Sequence, residues 1–367
     1  MMGESVLLLA VFMKKIKVSI VGVGNCASAI VQGVHYYKDR EADNSIGLTA
    51  YNLGGFEPKD IEFVSAFDVD KEKVGEDLSK AIFKAPNNTN KITDVPKIEV
   101  KVQKGPVLDG IGKYVTQTVK IDDEQPKNIA RSIQDSGAEI VLSYLPVGST
   151  AATKFYAEQS LRAGAAFINA MPVFIASDSY WQKKFTDAKL PVAGDDVMSQ
   201  LGATVLHKTL VKLCVDRGVK VDETYQLNIG GDTDFLNMQE ESRLADKRVS
   251  KTSAVKAMTP YEVPTRIGPS DFVKFLDNDK VCYIYLKGKY FGNTPVLIDV
   301  KLHVVDAFNS AGVMIDAIRG TKMALERGIS GPLESISAYC FKHPPIQMSY
   351  NDAKQAFLKF VDGKNER

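Results

Sequence analysis

A chain of 367 residues is longer than one hydrophobic core usually serves, so two domains sharing an interface are expected. Its 46 Lys and Arg balance 45 Asp and Glu with no block of like charge, which argues against nucleic acid as a partner. Cys26, Cys214, Cys282 and Cys340 are far apart in the chain, so neither a disulfide framework nor a zinc ribbon is indicated, and a reducing, cytoplasmic setting is expected.

The first apolar run, Val6 to Phe12, is too short to span a bilayer and has neither a basic residue before it nor a small-residue cleavage site after it. It reads as a frayed extension or an upstream start. No other stretch approaches spanning length, so no membrane contact is expected.

Ile16, Val18, Ile20 and Val21 have the pattern of a buried strand, followed by Gly22-Val23-Gly24 and a helix over 26–37. Two glycines let the backbone turn sharply toward a pyrophosphate at the helix N-terminus. A GxGxxG turn would place its third glycine at position 27, where this chain has Ala27. The next strand, 63–67, ends in Asp68, whose carboxylate suits ribose hydroxyls and would repel a 2′-phosphate. Its spacing from the turn is longer than usual because a polar insertion, roughly 38–60, intervenes. The turn therefore supports either an NAD site or a tight turn in an unliganded sheet.

A second insertion, about 82–125, contains the alternation Ile98, Val100, Val102, which predicts an edge strand. Apolar runs then recur at 139–144 (through Ser143, a candidate cofactor contact at the strand end), 166–169 and 190–194, separated by helical patterns. Strands alternating with helices predict an α/β fold with a doubly wound parallel sheet.

Asp195 and Asp196 follow the last of these strands, with Ser199 close behind, and that position suits either ligand binding or a helix cap. A helix is predicted over 203–216, then strands at 224–229, 281–287 and 296–305. No helix separates the last two, so an antiparallel or mixed second sheet is expected. Between the first two of these strands, Lys247 and Lys251 are four apart and share a helical face, as an oxyanion site or as an ordinary solvated face. Lys280, Asp306 and Lys342 carry no signal singly. A helix over 311–327 and another capped by Ser349 close the chain. The four histidines have no ligand spacing and no GxSxG occurs, so hydrolase and zinc-enzyme readings have little support.

Together the segments "VGVGNCASA", "NAMPVFIA", "GDDVMSQLGAT", "NIGGDTDFLNM", "SKTSAV", "IGPSDFVKFLDNDK", "VVDAFNSAGVMIDAIR" and "SAYCFKHPP" resemble the myo-inositol-1-phosphate synthase family in its short prokaryotic form. The resemblance runs from about Lys15 to the C-terminus. It implies an isomerase of inositol and phospholipid biosynthesis that converts glucose 6-phosphate to an inositol phosphate by C5 oxidation, enolisation, aldol closure and reduction, with NAD regenerated. It further implies a Rossmann domain over 1–200 completed by 308–367, an inserted α+β catalytic and oligomerisation domain over 201–307, and a homotetramer.

Carried over by residue, the resemblance implies cofactor contacts from Gly22, Gly24, Asn25, Cys26, Ala27, Asp68, Ser143 and Asp195. It implies Lys280 near the C5 oxygen, Lys247 near the C1 carbonyl oxygen, and Lys251 with Ser199 at the phosphate or an oxyanion. Lys342, Asp306 and one aspartate of the Asp195–Asp196 pair, taken as Asp196 with the register between the two left open, complete the catalytic set, and Asp234 matches a position linked to a divalent metal ion. Four lysines suit negative charge that develops first on O5 and then on O1. Mutual repulsion and burial are expected to lower some of their pKa values. One departure is Met198, where many relatives carry a lysine.

Overall fold

The computed structural model of the chain describes residues 14–38, 40, 45–243 and 245–365, without the side chains of 245–248, 269 and 270. The Val6 to Phe12 run lies outside these residues.

The first half alternates strands and helices: β1 (Ile16–Val21), α1 (Asn25–Lys38), β2 (Ile61–Asp68), α2 (Leu78–Ala81), β3 (Val102–Lys104), α3 (Ile129–Asp135), β4 (Ile140–Ser143), α4 (Thr150–Ala163), β5 (Ala166–Asn169), α5 (Ser179–Asp187) and β6 (Pro191–Gly194). Then come α6 (Ala203–Asp216), β7 (Lys220–Gly230), α7 (Thr233–Asn237), α8 (Ala245–Lys256), β8 (Thr265–Phe272), β9 (Asp279–Lys289) and β10 (Pro295–Val305). The chain closes with α9 (Asp306–Glu326), β11 (Gly331–Pro332), α10 (Glu334–Cys340) and α11 (Tyr350–Val361).

The larger sheet has the order β11-β6-β5-β4-β1-β2-β3, with every pairing parallel. Both of its faces are covered, which is why its strands are apolar without alternation. Ile20, Leu142 and Ile168 pack toward α1 and α9, whereas Val21, Val141 and Phe167 pack toward α3, α4 and α5. Strand order reverses between β1 and β4, so their C-terminal ends open a crevice there.

The smaller sheet, β10-β9-β7-β8, is mixed: β8 runs parallel to β7, and the other pairs are antiparallel. Helices α6 and α8 pack on one face through Val211, Cys214 and Val255, while Tyr225, Leu227 and Tyr283 on the other face are exposed.

Three expectations are corrected. The edge strand is β3, not 98–102: the Ile98 N–H donates to the Asp77 carboxylate, and the Val100 carbonyl accepts from Leu78 N–H. Strand β8 is an addition, hidden in sequence because Gly268 and Pro269 break the alternation; at a sheet edge a proline is tolerated. Helix α9 starts at Asp306, five residues before its apolar periodicity, because Asp, Asn and Ser are weak helix formers. That early start puts Asp306 in a helical first turn.

Candidate active site

Gly22 has φ +89°, and a Cβ there would lie 2.6 Å from the Tyr144 carbonyl oxygen, so only glycine fits where β1 passes β4. A Cβ on Gly24 would meet nothing within 4 Å. Gly24 thus borders open space directly ahead of the α1 N-terminus, where a pyrophosphate would be accommodated. Asp68 pins this turn: its carboxylate accepts from Val23 N–H at 2.7 Å, Val69 N–H at 2.7 Å and Asp70 N–H at 3.0 Å.

Sequence reasoning missed what holds the turn from outside. The Asn25 Oδ1 accepts from Asn88 N–H at 2.9 Å and from the Thr89 hydroxyl at 2.8 Å, and its amide donates to Asn88 Oδ1. Asn87 and the buried Lys73 both donate to the Val23 carbonyl. Residues 87–89 of the second insertion therefore brace a turn that lacks its third glycine. Ala27 itself is fully buried in the core, away from the opening.

The crevice widens into a cleft of about 280 Å³ between the C-terminal edge of the parallel sheet and the start of β9. Gly22, Gly24, Asn25, Cys26 and Asp68 share its wall with Asp196, Ser199, Asp234, Lys251, Lys280, Asp306 and Lys342. Ala27, Ser143 and Asp195 are absent from the wall, so their implied roles as cofactor contacts find no support in the geometry. Ser143 is completely buried at the end of β4, and the following Tyr144 and Leu145 form the wall instead. Ser199 lies before the α6 N-cap, Gly202, and so is not itself a cap.

The paired aspartates diverge. Asp195 is fully buried, and its carboxylate accepts from Asn169, from the N–H groups of Ile175, Ala176 and Ser177, and from the Ser177 hydroxyl. Burial pushes its pKa up to about 6, against the lowering effect of those donors. Asp196 has φ +60°, an uncommon conformation for a residue with a side chain. It accepts from Lys342 Nζ at 2.9 Å and from the Ser250 hydroxyl at 2.7 Å.

Lys342 reaches this position because residues 340–343 lace onto 195–198, with Lys342 N–H donating to the Asp196 carbonyl and Met198 N–H to that of Cys340. Met198 is buried. Beside Lys342, His343 stacks on Phe174 with ring centroids 4.3 Å apart and meets Ser253 at 3.1 Å; burial lowers its pKa.

Lys280, at the start of β9, contacts both carboxylate oxygens of Asp306, at 2.9 and 3.2 Å. Lys280 and Lys342 thus each face a carboxylate, a pairing that the expectation of mutual repulsion among lysines left out. Lys251 lies on α8 and is 4% exposed, in the wall of the same cleft. Lys247 belongs to the same helix, but its side chain lies outside those described. Ser250, which ties α8 to Asp196, lies in the SKTSAV segment but was given no role, because its partner is distant in the chain.

Asp232 caps α7 through Phe235 N–H. Burial first, then the charges of Asp234 and Asp306, push its pKa up to about 7. Among the described residues no three His, Cys, Asp or Glu side chains converge to hold a metal ion, so Asp234 has no ligand set around it. What the cleft brings together is a dinucleotide turn and two ammonium–carboxylate pairs. Such a set can orient a hydroxyl, accept its proton and stabilise an oxyanion beside a hydride acceptor.

Comparison with known proteins bears on what this constellation serves. A family model described as myo-inositol-1-phosphate synthase matches residues 202–307. The chain is 50% identical over 357 residues to an inositol-3-phosphate synthase of Mycolicibacterium smegmatis, covering 95% of this chain and 98% of that one. It is 46% identical over 355 residues to the protein of the same name from Corynebacterium glutamicum, covering 94% and 98%. A solved myo-inositol-1-phosphate synthase-related protein of Thermotoga maritima superposes with a TM-score of 0.80 at 23% identity, covering 95% and 98%. An inositol-3-phosphate synthase of Caenorhabditis elegans gives 0.75 at 16%, covering 95% and 85%; these two likenesses concern the fold.

Proposed function

The chain belongs to the myo-inositol-1-phosphate synthase family, and from that premise we propose how its cleft converts glucose 6-phosphate to inositol 3-phosphate. The reaction is an isomerisation: C5 is oxidised, the ketone enolises, C6 closes onto C1, and C5 is reduced again. NAD, when bound, supplies the hydride acceptor and returns the hydride, so no net redox change occurs.

The open space over Gly24, the α1 N-terminus and the Asp68 carboxylate suit a pyrophosphate and an unphosphorylated ribose, which favours NAD over NADP. Asp68 also keeps the turn shut. Lys280, once it has passed a proton to its partner Asp306, takes the proton of the C5 hydroxyl as a neutral amine and, charged again, faces the oxygen on which enolate charge develops. Lys342, paired with Asp196, supplies a second fixed positive charge, and Lys247 is assigned to the C1 oxygen. Lys251 and Ser199 are assigned to the phosphate. No step is routed through a metal ion.

Residues 201–307 act in this reading as the catalytic and oligomerisation unit, inserted between 1–200 and 308–367. The exposed aromatic face of the second sheet, with Tyr225 and Tyr285 stacked at 4.8 Å, suits self-association, as the homotetramer implied by the family resemblance requires. The four cysteines, none in a disulfide, suit a cytoplasmic setting, and no helix among the described residues is long and apolar enough to cross a membrane.

The observation that carries the proposal is the convergence of Lys251, Lys280 and Lys342 on the dinucleotide cleft. An ordinary dehydrogenase needs no such set. The test is to incubate purified protein with excess glucose 6-phosphate and a catalytic amount of NAD. Cyclised inositol phosphate with NAD unconsumed is expected; steady release of NADH without cyclised product would overturn the reading.

A further inference from the structure

We infer that Arg243 is a positioning residue that couples occupancy of the nucleotide end of the cleft to the placement of α8, the helix that carries Lys247 and Lys251. The inference rests on the functional reading above. The second insertion contributes Ile111, Val115 and Val119 to the cleft wall, alongside Asp68 and Asp70. The same strap then crosses to the segment that leads into α8. Lys113 N–H donates to the Glu240 carboxylate at 2.9 Å, and Arg243 Nη1 donates to the Asp109 carbonyl at 3.2 Å.

Arg243 also grips the other nucleotide-side loop. Its Nε donates to the Val147 carbonyl at 3.2 Å, as does the Asn237 amide at 2.8 Å. Val147 follows Tyr144, Leu145 and Pro146, which line the cleft at the point where strand order reverses. One guanidinium therefore bridges two loops that border the nucleotide end, immediately before the lysine helix.

The approach is close. A Cβ on Gly148 would lie 2.7 Å from Arg243 Cβ, and one on Gly112 would lie 2.8 Å from Asn237 Oδ1 and 3.2 Å from Glu240 Oε2. Yet the junction is not solidly filled. A cavity of about 360 Å³ opens there, bordered by Asp109, Val147, Gly148 and Arg243, so the bridge has room to adjust. At its far side α8 is docked on the catalytic carboxylate through Ser250 and Asp196. A ligand that presses the Ile111–Val119 strap inward thus shifts Arg243, and with it the helix that presents Lys251 to the phosphate. Two ligands that favour the same arrangement bind with positive coupling, which is reciprocal.

The experiment measures binding, not turnover, by calorimetry. The probes are NAD and 5-deoxyglucose 6-phosphate, which has no C5 hydroxyl to oxidise. In the wild-type protein saturating NAD is expected to tighten the analogue at least about 5-fold. In Arg243→Ala that factor is expected to fall below about 2-fold while NAD alone binds within about 3-fold of wild type, and Arg243→Lys is expected to retain part of the coupling. Glu240→Ala, which cuts the Lys113 contact from the other side, is expected to lower the same factor and keeps the test valid should Arg243→Ala fold poorly. An unchanged factor in the variants, or none in the wild type, overturns the inference. Failure of the wild type to bind NAD overturns the functional reading as well.

Discussion

Asp195 and Asp196 are neighbours in the chain whose carboxylates serve different parts of the molecule: one ties down the 175–177 loop, the other pairs with Lys342 and Ser250 in the cleft. Removing the first leaves buried N–H groups without an acceptor. Asp195→Ala is therefore expected to cost roughly 3 kcal/mol or more of stability, read from urea midpoints. Asp196→Asn is expected to keep its stability within about 1 kcal/mol and to lose turnover tenfold or more. The opposite pattern would reverse the two roles.

Lys280 pairs with Asp306 whereas Asp68 holds the glycine turn, so their removal separates chemistry from cofactor binding. Lys280→Ala is expected to lower kcat about 100-fold or more while NAD affinity stays within about threefold. Asp68→Ala is expected to weaken NAD about tenfold or more and also to reduce stability, because Val23, Val69 and Asp70 lose an acceptor. Calorimetric titration with NAD and steady-state kinetics check both. Equal loss of NAD affinity in the two variants would contradict the assignment.

Asp232 gives the pH dependence a definite sign. Its folded pKa of about 7 is above the ordinary 3.8, so the native state binds the proton more tightly than the unfolded chain does. Its stabilising effect is full below the unfolded value and is lost as pH rises toward 7. Asp232→Asn keeps an acceptor for Phe235 N–H but cannot ionise. The variant is expected to match wild type near pH 4 and to exceed it by roughly 1–3 kcal/mol at pH 8. A variant less stable than wild type at pH 8 would count against the assignment.

Asn88 reaches the nucleotide turn through Asn25. Asn88→Ala is expected to raise the Kd for NAD about 5-fold, with kcat at saturating NAD within about twofold of wild type, because the reacting end is untouched. A fall in kcat with unchanged NAD affinity would show that residues 87–89 act elsewhere.

Most of the sheet was legible because its strands are buried on both faces, and Val18, Ile140, Phe167 and Val192 announce themselves as unbroken apolar runs. Gly22 was legible for a different reason: its backbone conformation excludes other residues. What stayed hidden depends on partners distant in the chain. Ser250 is an ordinary helical serine until Asp196 is beside it, and Asn88 an ordinary loop residue until it meets Asn25. The divergence of Asp195 from Asp196 and the pairing of Lys280 with Asp306 are likewise tertiary facts. Strand β8 was hidden because its glycine and proline look like a turn.

The parallel sheet is completed late. Helix α9, which covers Ile20, Leu142 and Ile168, and strand β11, which closes the β6 edge, both follow the whole of the second sheet in the chain. On the ribosome, six strands emerge first and wait with one apolar side covered only by α1 while residues 195–305 are made. At typical elongation rates that interval is on the order of ten seconds. During it the nascent chain presents a sticky surface that only its own later residues can bury, so the yield of soluble protein is tied to chaperone supply and to translation speed across the second sheet.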